Sequence, residues 1–89
     1  MPKTRNNGRT AELNSLQGRF SLLTPREKET LPLTVAGMLN KQAAAVVGIT
    51  EVTLQVHRGQ IMRKMEARSF ADLVRMAGEL GIPDRDETL

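Results

Sequence analysis

The chain has 89 residues, a net charge of +3 and no cysteine, tryptophan or tyrosine. This length supports one small domain with a modest core, and the composition excludes disulfide frameworks, thiol catalysis and cysteine-rich zinc sites. With one histidine, a zinc site would depend on carboxylates, an uncommon donor set, so no metal and no cofactor are expected.

The charge is unevenly spread: Lys and Arg against Asp and Glu give +3 over 1–22, 0 over 23–39, +3 over 40–68 and −3 over 69–89. A basic middle beside an acidic end fits an anionic partner at one face, and equally a solvated surface with chance asymmetry. No apolar run approaches the roughly 20 residues that cross a bilayer, and "MPKTRNNGRT" lacks the apolar stretch of a secretory leader. The expected location is cytoplasmic, without a membrane partner.

Residues 1–10 are polar, basic and aperiodic, and read as disordered. "AELNSLQGRF" (11–20) admits a short linker helix through Leu13, Leu16 and Phe20, weakened by Gly18. The expected organisation is a flexible basic tail and linker over 1–20, a folded domain over 21–82 and an acidic tail over 83–89.

"TPRE" opens the first firm helix, about Pro25 to Gly37. Thr24 is its N-cap, Pro25 takes the first position, where a missing N–H costs nothing, and Glu27 reaches back to the cap. Pro32 removes a hydrogen bond and crowds the carbonyl four residues back. This predicts a kink near Lys28–Pro32, with Leu31, Leu33 and Val35 facing the core.

Asn40 is placed to cap a second, short helix, "KQAAAVV", which Gly48 stops by taking a left-handed conformation. Thr50 then caps a third, about Glu51 to Glu66. In "SFAD", Ser69 and Asp72 repeat the capping pattern before a fourth helix that ends near Gly81-Ile82-Pro83. The glycines and prolines fall at helix ends, with no alternating apolar runs between them, so the fold class is all-α.

Two short helices joined by a tight, glycine-containing turn make a helix-turn-helix, whose second helix is the one that enters a DNA major groove. Ala43, Ala44 and Ala45 permit close approach of the two. An αα-hairpin with no DNA role shares most of this pattern.

At about 100° per residue, with Leu54 at the centre of the buried face, His57, Arg58, Ile61, Met62 and Met65 fall roughly within 80° of it. Val52, Gln55, Val56, Gly59 and Arg63 cluster opposite. Against DNA, the valines can touch a thymine methyl and the Gln55 amide can pair with a base edge. Gly59 then lets the backbone come close; otherwise it is an accident costing about 1 kcal/mol. Asn40, Lys41, Thr53, Arg58, Arg63, Lys64 and Arg68 surround this face as phosphate-binding candidates that set register and not sequence.

His57 borders the core and reads as a packed, hydrogen-bonded residue, since no Ser, Cys or carboxylate at helical spacing completes a catalytic or metal set beside it. No enzymatic activity is expected. In the fourth helix Phe70, Leu73, Ala77 and Leu80 form a core-facing row. Val74 and Met76 are left either to widen that face or to make a dimer contact.

"LTPREKETL" (23–31), "GMLNK" (37–41), Ala44, "ITEVTLQVHRGQIMRKM" (49–65) and "SFADLVRMA" (69–77) together resemble the LuxR-type helix-turn-helix, and among such domains the output domain of FixJ/NarL-like response regulators. The resemblance runs from about Leu23 to Leu80. It implies a four-helix helix-turn-helix domain with a short N-terminal linker segment, whose third helix reads the major groove and whose fourth pairs with itself across a two-fold axis.

By position, the resemblance implies base reading by Gln55, Val56 and Gly59; its paired fourth helix favours dimerisation as the role of the surplus apolar residues Val74 and Met76. Members often carry Lys where this chain has Gln55. Thr30, Thr34 and Val47 stand where larger or more apolar residues are usual. A phosphorylatable receiver normally precedes such a domain, and the residues before Thr10 are too few to form one. The chain therefore reads as the output domain of a longer regulator or as a stand-alone domain.

The expected function is sequence-specific DNA binding in transcription regulation. The expected partners are double-stranded DNA, a second copy or a homologous regulator, and RNA polymerase. An alternative is an interaction module that pairs through its fourth helix with a full-length regulator and modulates it.

Overall fold

In the computed structural model, which describes the backbone of residues 2–82 and side-chain environments over 11–82, five helices succeed one another with no strand among the described residues. The expected acidic tail over 83–89 lies outside the described residues.

The first helix, α1 (Pro2–Phe20), starts earlier than the sequence reading allows, continuing through the stretch read as disordered. Pro2 at the first helical position forfeits no helical bond, and the peptide ladder runs on through Gly8 and Gly18. Among the described side chains, its buried attachment lies in its last turns, besides an exposed ion pair between Glu12 and Arg75. Leu16 is buried, Phe20 is half-buried against the core, and Arg19 Nη1 donates to the Met65 carbonyl at 2.8 Å.

Helix α2 (Pro25–Val35) carries the capping box. Glu27 N–H donates to Thr24 Oγ1 at 3.1 Å, and Thr24 N–H donates to Glu27 Oε1 at 2.9 Å. The helix continues through Pro32 and closes two residues before the expected Gly37. Gly37 takes φ +85°, so that its N–H reaches Thr34 O at 3.0 Å and Met38 N–H reaches Leu33 O at 3.2 Å. Leu31 and Val35 are buried, whereas Leu33 is half-buried beside Ala43, Ala44 and Leu54. Buried Thr30 satisfies its hydroxyl on Arg26 O at 2.8 Å; the Thr34 hydroxyl is buried with no partner among the described residues.

Helix α3 (Asn40–Val47) is not capped by Asn40. Leu39 holds the cap position, its N–H donating to Gln42 Oε1 at 3.2 Å, and Asn40 is the first helical residue, so its side chain has no capping role and meets another partner. Gly48 ends α3 at φ +84°, as the sequence requires. Thr50 accepts from Thr53 N–H at 3.1 Å and starts α4 (Glu51–Met65). Its far end closes on Glu66, a non-glycine residue at φ +60°. Ser69 accepts from Asp72 N–H at 3.1 Å and starts α5 (Phe70–Glu79).

Helix α4 packs against each of the other four helices. Ile61 and Met65 enter the main core with Leu16, Leu23, Leu31, Val35, Leu73, Met76 and Ala77, while Leu54 joins Ala43 and Ala44 in a smaller cluster under the α3–α4 turn. At about 25 cal/mol per Å² of apolar surface removed from water, these contacts fix α4 by one face and leave the opposite face to solvent.

Candidate nucleic-acid interface

The solvent face of α4 is formed by residues three, four and seven apart, the spacing of one helical stripe. Val52 is 72% and Val56 55% exposed, and Gln55, Gly59 and Arg63 are exposed beside them. A Cβ built on Gly59 would meet nothing within 4 Å, and its φ is not in the left-handed region. Neither packing nor backbone conformation inside the domain requires glycine there. Two large exposed valines and an internally unneeded glycine therefore share one face that contributes nothing to the core.

The cations around this face divide by what already holds them. Arg75 is committed to Asp72 at 3.0 Å, and also to Glu79 and Glu12. Arg26 donates to Val47 O at 2.7 Å, near the end of α3. Lys41 is exposed at the start of α3, and Arg63 reaches only its neighbour Gln60. Arg58 Nη1 donates to Asn40 Oδ1 at 2.7 Å, with its guanidinium 5.8 Å from the centre of the Phe70 ring. Thr53 Oγ1 accepts from Thr50 Oγ1 at 2.9 Å. Thus Asn40, Lys41, Thr53, Arg58 and Arg63 rim the exposed stripe, and none of them faces a carboxylate within ion-pair distance among the described residues.

Lys64 requires correction as a phosphate-binding candidate. Its Nζ donates to Glu27 Oε1 at 2.8 Å, with the two side chains 21% and 6% exposed. At ten residues from Leu54 it lies about 80° from the buried centre, close enough to turn inward to a carboxylate that needs a counter-charge. Burial opposes ionisation of Glu27, but the hydrogen bonds from Lys64 and from Thr24 N–H, with the positive charge of Lys64, hold its carboxyl below the ordinary range.

His57 is half-buried as expected, yet its buried Nδ1 has no hydrogen-bond partner among the described residues, contrary to the satisfied histidine the sequence suggests. Among the described residues no group of three or more His, Asp or Glu is placed to hold a metal ion.

The α5 assignments also change. Met76 is 3% exposed and packs in the main core, so it cannot offer a dimer contact in this arrangement, whereas Phe70, expected in the core, is 42% exposed. Met76 belongs to the buried row with Leu73 and Ala77, while Phe70 begins the helix and turns toward Arg58 of α4. Val74 is half-buried, with Ala71 and Gly78 exposed on the same stripe. The sequence gives Glu27 only its capping role and Phe70 only a place in the core row, because the partners Lys64 and Arg58 that they meet lie distant along the chain.

Residues 21–77 match the family described as bacterial regulatory proteins, LuxR family. Nodulation protein W of Bradyrhizobium diazoefficiens is 48% identical over 68 residues, covering 76% of this chain and 30% of that protein. Response regulator protein TodT of Pseudomonas putida is 39% identical over 79 residues, covering 89% of this chain and 34% of that protein. A solved structure of the response regulator StyR superposes with a TM-score of 0.78 at 43% identity, over 86% of this chain and 38% of that one. The chain thus spans about a third of the length of these relatives. Among the described residues no helix is long and apolar enough to cross a membrane.

Proposed function

Because this chain belongs to the LuxR family of bacterial regulatory proteins, we propose that it binds double-stranded DNA sequence-specifically and regulates transcription, with α4 as the helix that enters the major groove. The observation that carries this reading is the stripe Val52, Gln55, Val56 and Gly59, exposed on a helix whose opposite face is buried. The Gln55 amide presents a donor and an acceptor to a base edge, the valine methyls suit a thymine methyl, and Gly59 allows close approach of the backbone.

Asn40, Lys41, Thr53, Arg58 and Arg63 are the proposed phosphate contacts, which set register on the duplex. The Ala71, Val74 and Gly78 stripe of α5 is the proposed contact with a second copy or a homologous regulator. Two-fold pairing there would present two α4 helices to half-sites about 34–36 Å apart.

The test is selection of bound duplexes from a random pool. A defined, palindromic consensus supports both sequence reading and pairing, and a single half-site supports reading alone. Retention of the pool without any consensus overturns sequence-specific recognition.

A further inference from the structure

We propose that Phe70 is a positioning residue for DNA binding: together with Asn40 it holds the Arg58 guanidinium ready for a phosphate, at the point where α3, α4 and α5 meet. This rests on the DNA-binding reading above and adds to it a residue with no direct contact of its own assigned.

Phe70 is one of only two aromatic residues in the chain and is 42% exposed at the start of α5, outside the apolar row that fixes that helix. Its ring centre lies 5.8 Å from Arg58 Cζ, within the range in which a guanidinium is attracted to an aromatic face. On the other side, Arg58 Nη1 donates to Asn40 Oδ1 at 2.7 Å. Asn40 is available because α3 starts at the Leu39 cap, which makes Asn40 its first helical residue and frees its side chain from capping.

Two protein groups thus orient Arg58, and neither neutralises it. Its Nε and Nη2 donors make no hydrogen bond among the described residues, and no carboxylate pairs with it there. Arg75, saturated by Asp72, Glu79 and Glu12, shows the opposite arrangement, an arginine used to tie the domain together. A long side chain free in solution must lose rotamer freedom to grip a phosphate, and one already held in place loses less. The shallow hollow beside this junction is lined by Gln55 and Gly59 as well as Asn40, Arg58 and Phe70. A phosphate gripped there is therefore adjacent to the proposed base-reading stripe.

The experiment is a double-mutant cycle on Phe70 and Arg58, read as affinity for a duplex recovered from the random-pool selection and as the salt dependence of that affinity. Arg58→Ala is expected to weaken binding and lower the salt slope by about one unit. Phe70→Leu, which keeps an apolar side chain, is expected to weaken binding about 2- to 5-fold in the wild-type background and to have no further effect in Arg58→Ala. Phe70→Trp should bind as wild type.

Thermal melting of each variant separates a folding defect from a positioning effect, since a merely structural Phe70 would weaken binding equally in both backgrounds. Equal losses, or an Arg58→Ala variant with unchanged affinity and slope, overturn the proposal while leaving DNA binding intact. Failure of the wild-type chain to bind any duplex removes the underlying reading and the proposal with it.

Discussion

Lys64 Nζ lies 2.8 Å from Glu27 Oε1, and this ion pair fastens α4 to the first turn of α2. Glu27 already closes the capping box of α2, so one carboxylate serves helix initiation and helix packing together. Lys64→Met leaves it buried without its counter-charge. The expected loss of stability is about 1–3 kcal/mol, below the full penalty for a deeply buried pair because Lys64 is partly exposed. Urea denaturation measures it, and the salt slope of duplex binding should stay as in wild type. A slope lowered by one unit would instead return Lys64 to the phosphate contacts.

The same pair gives the domain an acid limit. The Glu27 carboxyl is held below its ordinary value of 4.5 in the folded chain, so its contribution is complete above that value and is lost as pH falls through the folded value. Melting temperature should therefore drop on acidification below about pH 4.5, and Glu27→Gln should be less stable at neutral pH but flatter over that range. Parallel profiles for the two proteins would show that other carboxylates govern acid unfolding.

Gly59→Ala should move stability and binding in opposite directions. An added methyl meets no atom within 4 Å, and replacing glycine within a helix is worth about 1 kcal/mol, so the melting temperature should rise. Duplex affinity should fall if the backbone there closely approaches DNA. Undiminished binding by the stabilised variant would remove close approach as the reason for this glycine.

Glu66 ends α4 in the left-handed region at φ +60°, where a side chain costs about 1 kcal/mol and glycine does not. Glu66→Gly is expected to stabilise the domain by about 0.5–1 kcal/mol, measurable as a higher denaturant midpoint with an unchanged m-value. A lower midpoint would mean that the Glu66 side chain makes a contribution exceeding that strain.

Val74 and Met76 should separate association from folding. Val74→Asp is expected to abolish pairing, read by analytical ultracentrifugation and by cooperative binding to two half-sites, with helical content retained. Met76→Asp places a charge at a position 3% exposed and should unfold the domain. If Val74→Asp pairs normally, the α5 stripe is not the contact.

Local chemistry carried most of the fold into view: Thr24, Thr50 and Ser69 cap their helices as their side chains dictate, and Gly48 takes the left-handed turn. The outward stripe of α4 follows from helical period alone. What escaped depends on partners far along the chain. Period leaves Lys64 at the edge of the buried face, and only the proximity of Glu27, 37 residues away, turns it inward. Asn40 has the chemistry of a cap, but α3 starts one residue earlier than expected, at the Leu39 cap, and Asn40 accepts from Arg58 instead. Met76 and Phe70 exchange places because the packing of α5 against its neighbours sets its rotation, which a short apolar-rich helix does not specify by itself. The early start of α1 has no apolar stripe to announce it before Leu13.

Helix α4 is in contact with every other helix through one face, and its other face is exposed among the described residues. Its inner amides should therefore exchange with solvent deuterium only when the whole domain opens. The outer side chains add no packing to that protection. On the proposed DNA-binding reading, substitutions at Val52, Gln55 and Val56 should consequently change which base pairs are preferred while leaving the folding equilibrium nearly untouched. On the same reading, new binding preferences could arise on this scaffold without compensating changes in its interior.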